Sequence, residues 1–310
     1  MLLVLVFHTG VDAVGQALAP VGWGIVPIVL THAAPMAFDI VAWRVLFVAT
    51  APPLSTLIKA RWIGEAANNL LPVAQLGGDL VRIRLVTLAG TKTVDATASV
   101  LADLTLGAFA QILFGVSGAL LLAAWHGAQS IMPILGGFLL FGSGIGVFYW
   151  FQRGRPFHFV WRVLGSLSLK PGWVAKLGRA EPFHDALDAI YANRAGVRRS
   201  CFLRLVGWVA GSVEIYVSLQ FLGHPGTWTE AFILESLAQA GRSAAFPVPG
   251  GLGVQEASFL AVGTMLGLAP STCLALALLR RGRDVILGVP ALAAYWLIET
   301  RRSAVGDKKR

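Results

Sequence analysis

The stretch Arg242-Ser243-Ala244-Ala245-Phe246-Pro247-Val248-Pro249-Gly250-Gly251-Leu252-Gly253-Val254-Gln255-Glu256 sets two prolines and three glycines inside apolar sequence, between an arginine and a glutamate. An earlier stretch, Asn68-Asn69-Leu70-Leu71-Pro72-Val73-Ala74-Gln75-Leu76-Gly77-Gly78-Asp79-Leu80-Val81-Arg82, has the same character. Proline lacks an N–H and glycine frees the backbone, so a helix stops at each place. Backbone groups freed in this way cannot face hydrocarbon; they must face protein or a water-filled cavity. Interrupted hydrophobic segments in corresponding halves of a chain point to a transporter's binding site.

Composition sets the frame. Hydrophobic residues make up 56% of the chain and charged residues 13%, with a mean hydropathy of +0.69. A soluble domain carries about 25% charged residues. The expected fold class is all-α: a polytopic integral membrane protein. No run of short alternating strands suggests a barrel. The net charge of +9 does not imply nucleic acid. Its basic residues gather in one central loop and at the C-terminus, as membrane topology demands. Cys201 and Cys273 lie in different apolar segments and read as small buried hydrophobes. Residues 2–7 follow no basic n-region, so the N-terminus reads as a first span and not a signal peptide.

Four regions are expected. Residues 1–151 form an N-terminal membrane half with the first break. Residues 152–200 form a cytoplasmic basic loop with surface helices, holding nine basic against three acidic residues. Residues 201–300 form the second membrane half with the second break, and 301–310 a basic cytoplasmic tail. Within these, Leu2–Ala19, Trp23–Phe47, Val94–Trp125, Met132–Phe151 and Leu203–Leu222 read as spans, and Leu54–Ala89 and Trp228–Ala261 as broken, re-entrant elements. Trp23, Trp125 and Trp228 sit near span ends, as interfacial tryptophans do.

Arg280-Arg281-Gly282-Arg283-Asp284 admits two readings: a cytoplasmic turn between two short spans, or the middle of one helix over Ser271–Glu299. Twenty-nine residues at 1.5 Å each make about 43 Å, enough for a tilted crossing. The single helix also lets the parity close, with both termini and the basic loop cytoplasmic. The two breaks then enter from opposite faces and each precedes a long helix, forming an inverted repeat. Residue by residue the halves match weakly: Leu71-Pro72-Val73 against Phe246-Pro247-Val248, and Gly78 against Gly253.

At these residues the chain resembles the flippase-like membrane domain of lysylphosphatidylglycerol synthases. The motifs are Asn68…Leu71-Pro72…Gly77-Gly78-Asp79…Arg82 and Pro247…Pro249-Gly250-Gly251-Leu252-Gly253-Val254…Glu256. Arg61-Trp62-Ile63-Gly64-Glu65 and Arg281…Arg283-Asp284 are similar to the subfamily associated with hopanoid biosynthesis, HpnL. The resemblance implies a helical lipid-translocating domain with a central cavity. In full synthases a soluble aminoacyl transferase follows the membrane part; here Arg310 comes just after the last span, so synthase activity is not expected.

The candidate substrate-binding residues are Asn68, Asp79, Arg82, Arg242, Glu256, Arg281 and Arg283. Charges within spans are costly and are functional candidates by default. Arginines pair bidentately with phosphate oxygens, so Arg82 and Arg242 read as a phosphate clamp or as interfacial snorkelling side chains. Asp79 has the spacing to pair with Arg82. Glu256 reads as a helix-capping acid or a partner of Arg281 or Arg283. Asn68 and Asn69 read as caps for backbone groups near Pro72. Pro72, Gly77, Gly78, Pro247, Pro249, Gly250, Gly251 and Gly253 are the structural residues of the breaks. His8 and His32 show no ligand spacing and read as core histidines.

No catalytic signature or nucleotide loop is present. The expectation is therefore a non-enzymatic lipid transporter of the bacterial inner membrane, without metal or cofactor. It would move a hopanoid or an anionic phospholipid through a central polar cavity, with lipid-biosynthesis proteins or a second copy as protein partners. A membrane-embedded headgroup transferase using Glu256 or Asp79 as base, and a scaffold for lipid-synthesis enzymes, are the alternatives.

Overall fold

A computed structural model describes residues 11–71, 77–127, 146, 149, 180–244 and 253–307, and among these no strand occurs. The chain opens with α1 (Val11–Leu18). A 3-10 turn (Gly22–Gly24), α2 (Ile25–Thr31) and α3 (Ala33–Arg44) then run on as one helical stretch. The first break separates α4 (Leu54–Leu70) from α5 (Gly77–Leu88), and α6 (Thr93–His126) follows. Next come α7 (Ala180–Ala192) and α8 (Arg194–Phe221). The second break separates α9 (Trp228–Ala244) from α10 (Val254–Met265), and α11 (Pro270–Asp307) closes the chain.

Gly22–Arg44, Thr93–Trp125 and Arg194–Phe221 are long and apolar enough to cross a membrane. Their outer faces carry exposed apolar side chains such as Leu30, Phe109 and Phe202, as a lipid-facing surface requires. Trp23, Trp125 and Trp228 are exposed as well. The span expected to start at Leu203 starts nine residues earlier, with Arg198 and Arg199 exposed on its first turns. The span expected over Met132–Phe151 and most of the basic loop fall outside the described residues.

Local chemistry explains the ends. Leu71 is extended, at φ −100° and ψ 148°, because the proline after it disfavours the helical region. Gly253 sits at φ +85°, where a side chain would be strained, and α10 starts directly after it. Pro72, Pro247, Pro249, Gly250 and Gly251 lie outside the described residues. Each break lies between a helix of 17 residues and one of 12 that pack against each other, and each pair precedes a helix of more than 30 residues.

The last helix is unbroken. Pro270 stands at its first position, where a missing N–H costs nothing, and it continues past Pro290 to Asp307. Arg280–Asp284 is therefore helix interior and not a turn.

Two apolar clusters divide the bundle. One gathers Ile28, Leu122, Ile215, Leu234, Phe259 and Leu276. The other gathers Ile40, Trp43, Ile63, Val86, Val100 and Leu187. Ionisable residues lie between them along the chain: His32 and Asp39 between Ile28 and Ile40, and Arg280–Asp284 between Leu279 and Ala291. Along α8, Arg204 and Glu214 fall between Cys201 and Ile215 in the same way.

Candidate functional site: a buried belt of ion pairs

On the side of the first break the charges alternate. Arg82 is 2% exposed and donates to Asp79 at 3.0 Å and to Asp103. Arg204 donates to the other Asp103 oxygen and, at 2.9 Å, to Asp39, which also accepts from Arg61. The Arg82 guanidinium lies 4.1 Å over the Trp43 ring. Its burial rules out interfacial snorkelling. The predicted Asp79–Arg82 pair is present, within a longer chain drawing on α3, α4, α5, α6 and α8.

Around the middle of α11 a second cluster forms. Arg280 grips Glu235 of α9 with both terminal nitrogens, one at 2.9 Å. Arg281 Nε donates to Glu256 Oε1 at 2.7 Å, while Glu256 Oε2 accepts from the Gly253 N–H at 2.6 Å. Glu256 thus both caps α10 and pairs with Arg281, but not with Arg283. Arg283 reaches Asp284 at 2.6 Å, Glu214 of α8, and His32 Nδ1 at 3.0 Å. His32 Nε2 lies 2.8 Å from Glu65 Oε1. His32, expected as an inert core histidine, is a hub of this cluster.

Arg242 joins the two breaks. It donates to Asn69 Oδ1 at 2.5 Å and to Gln255 Oε1 at 3.3 Å. Among the described residues it meets no carboxylate within ion-pair distance. Asn68 is a cap, but for the helix beyond the break: its Oδ1 accepts from the Gly78 N–H at 2.8 Å. Asn69, expected to cap freed backbone, holds Arg242 instead. Gly64 and Gly78 make this close approach, since a Cβ on Gly78 would overlap the Gly64 carbonyl oxygen.

Of the seven candidate substrate-binding residues, Asp79 and Arg82 belong to the first cluster, Glu256, Arg281 and Arg283 to the second, and Asn68 and Arg242 lie at the breaks. Sequence reasoning used Arg61 and Glu65 only as part of a family motif and passed over Arg204, Glu214 and Glu235. Each is ionisable within an apolar segment, the same signal that singled out Glu256. A narrow cleft between α4 and α11 reaches the second cluster, lined by His32, Trp62, Glu65, Asn69, Arg283 and Asp284. Its free volume of about 10 Å³ is room for roughly one water. The arrangement is therefore closed, and most of its charges are paired with one another.

Over residues 1–291 the sequence matches the family described as the lysylphosphatidylglycerol synthase TM region. The chain belongs to that family. A search of the curated proteins found no match. The family match takes in every residue of both charged clusters, and it fits a membrane protein linked to lipid modification or transport.

Proposed function

We propose that this protein moves a polar lipid between the leaflets of a bacterial inner membrane, with the belt of ion pairs as its polar path. The observation that carries the reading is a belt of buried ion pairs that runs through an otherwise apolar bundle. Burying that much charge is costly, and a fold gains little stability from it compared with apolar packing. Retaining it makes sense where a polar headgroup must pass. A phosphate can replace a carboxylate against an arginine with little loss, because both are bidentate acceptors. The closed cleft admits no headgroup, so passage requires α4 and α11 to part.

We read the two halves as an inverted repeat with two re-entrant elements, and the correspondence of their positions supports it. The eighth residue is Arg61 in α4 and Glu235 in α9; the fifteenth is Asn68 in α4 and Arg242 in α9. The third residue is Asp79 in α5 and Glu256 in α10. The eleventh is Asp103 in α6 and Arg280 in α11. Equivalent positions also meet: Arg82 bonds Asp103, and Arg280 lies 5.9 Å from the Phe259 ring centre. Packing is exchanged between halves, α4 against α11 and α9 against α6. At about 25 Å, a 17-residue helix falls short of the ~30 Å hydrocarbon core, as a re-entrant limb does.

The motif string resembles the hopanoid-associated branch, which makes an extended hopanoid the first lipid to try and an anionic phospholipid the second. The test is purified protein in liposomes with labelled lipids of both kinds, scored for leaflet exchange. Exchange faster than in protein-free vesicles is expected. Exchange at the protein-free rate removes the reading, and a changed headgroup mass after incubation moves it to a transferase.

A further inference from the structure

Among the described residues the interior charges do not balance. Asp39, Asp79 and Asp103 are matched by Arg61, Arg82 and Arg204. Glu235 and Glu256 are matched by Arg280 and Arg281. That leaves Glu65, Glu214 and Asp284 against Arg283 and Arg242, the latter close enough to Asp284 to feel its charge. With His32 neutral, the described interior carries one negative charge too many. Uncompensated charge is costly in a medium of low dielectric, and a single proton removes it.

The geometry shows where that proton goes. His32 Nε2 lies 2.8 Å from Glu65 Oε1, and Nδ1 lies 3.0 Å from Arg283 Nη1. With the ring neutral, Nε2–H donates to Glu65 and Nδ1 accepts from Arg283. A proton on Nδ1 would set N–H against the Arg283 N–H, so the two cannot share the position. Glu214 Oε2, 3.6 Å from Nδ1, would then accept from the imidazolium. The displaced guanidinium has a place to go. Arg283 already holds Asp284 Oδ1 at 2.6 Å, and the buried Oδ2 beside it accepts no hydrogen bond among the described residues.

We propose that His32, Glu65, Glu214, Arg283 and Asp284 form a proton-binding site in which a proton on His32 Nδ1 and the Arg283 guanidinium are alternative occupants, coupling proton uptake to the parting of α11 from its neighbours. Water in the α4–α11 cleft delivers the proton and, after reopening, takes it away. While Arg283 holds Glu214, α11 is tied to α8; once the proton replaces it, that tie is released. The groups facing the site are Glu65 and Arg61 from α4, Glu214 from α8, and Arg280, Arg283 and Asp284 from α11. Asp39 of α3 and Arg204 of α8 are engaged with each other. Nothing ionisable lies on α2, and Asp12 of α1 is exposed. The site would supply an energy source for the lipid movement proposed above and rests on that reading only for what the proton drives.

The test places spin labels at Ile58 of α4 and Val289 of α11, both exposed, and reads their distance in liposomes between about pH 5 and 10, a range that extends well above the one in which a free histidine changes charge. Wild-type protein should shift between two distances with a one-proton midpoint. His32→Gln should hold one distance throughout, with His32→Asn as the second variant should the first not fold. Glu214→Gln should move the midpoint to lower pH, because a negative neighbour is gone. A wild-type distance that ignores pH, or a His32 variant that titrates like wild type, overturns the proposal. Lipid exchange in the same vesicles separates the two readings. A pH-driven shift without exchange leaves the proton site and removes translocation; exchange without any pH-driven shift does the reverse.

Discussion

Arg242 donates to Asn69 across the two breaks of the chain, 173 residues apart in sequence and 2.5 Å apart in space. The charged partner comes from the end of α9 and the neutral one from the end of α4, each just before its break. Arg242 is thus a half-buried cation held by amides, with no acid paired to it among the described residues.

An arginine held by Asn69 and Gln255 is available to an anionic headgroup without first breaking an ion pair. Arg242→Gln should fold, since it breaks no ion pair and a glutamine amide can still donate to Asn69 or Gln255. It should slow exchange of a phosphatidylglycerol probe roughly tenfold or more, a charged hydrogen bond being worth about 1.5–3 kcal/mol. Exchange of a zwitterionic phosphatidylcholine probe should change less. Equal slowing of both probes would mean that Arg242 only braces the two breaks.

Two glycines separate packing from propensity. An added Cβ at Gly78 meets the Gly64 carbonyl and the Asn68 side chain, and backbone cannot rotate aside. Gly78→Ala should part α4 from α5 and cost about 3 kcal/mol or more, above the usual overpacking penalty. Gly282, between Arg281 and Arg283, has nothing within 4 Å of such a Cβ. Gly282→Ala should be neutral or stabilise by up to about 1 kcal/mol, since glycine is a poor helix former. Thermal unfolding in detergent checks both.

The long helices and the two places where helices stop were legible because they depend on local chemistry: apolar runs, proline, and glycine at Gly253. The choice of one helix for Arg280–Asp284 was legible from length and parity. Which charges meet was not. Arg82 read equally well as a snorkelling side chain, because sequence does not show that Trp43 and Asp103 close over it. His32 read as inert because its partners, Glu65, Glu214 and Arg283, lie on three other helices and have no spacing relative to it.

Asp103 stands between two arginines, and its removal should be severe. Asp103→Asn leaves Arg82 and Arg204 facing each other across an uncharged group, and breaking a buried ion pair costs about 3–5 kcal/mol. Adding Arg204→Gln should restore part of the loss, because Arg82 keeps Asp79 and Arg61 keeps Asp39. Yield and melting temperature of the single and double variants decide this. A double variant less stable than Asp103→Asn would contradict the charge balance argued here.

Topology follows from charge. The loop containing Pro225, between α8 and α9, should face the outside, and Ser303 beyond the span of α11 should face the cytoplasm with the basic loop. In a cysteine-free background, an impermeant thiol reagent applied to intact cells should label Pro225→Cys and spare Ser303→Cys. The opposite pattern would invert the molecule, and labelling of both would require an even number of crossings between them.

Glu256→Gln tests the junction of the second break with the last helix. The change is nearly isosteric, and neutralising a buried acid would by itself lower the cost of burial. The structure argues for the opposite sign. One Glu256 oxygen accepts from the Gly253 N–H and the other from Arg281 Nε, so both need an acceptor. A glutamine supplies one, and its amide N–H groups must oppose the other donor whichever way it turns. Arg281 meanwhile keeps its charge, with Asp284 at 3.9 Å. Glu256→Gln should therefore lose roughly 3 kcal/mol, in line with breaking a buried pair. Arg281→Gln added to it should recover a coupling of about 0.5–3 kcal/mol. Exchange by the double variant at matched folded protein then shows whether the pair serves lipid passage or only the fold. A Glu256→Gln protein that melts like wild type would mean that the carboxylate does not anchor the start of α10, and that the Gly253 backbone holds the break without it.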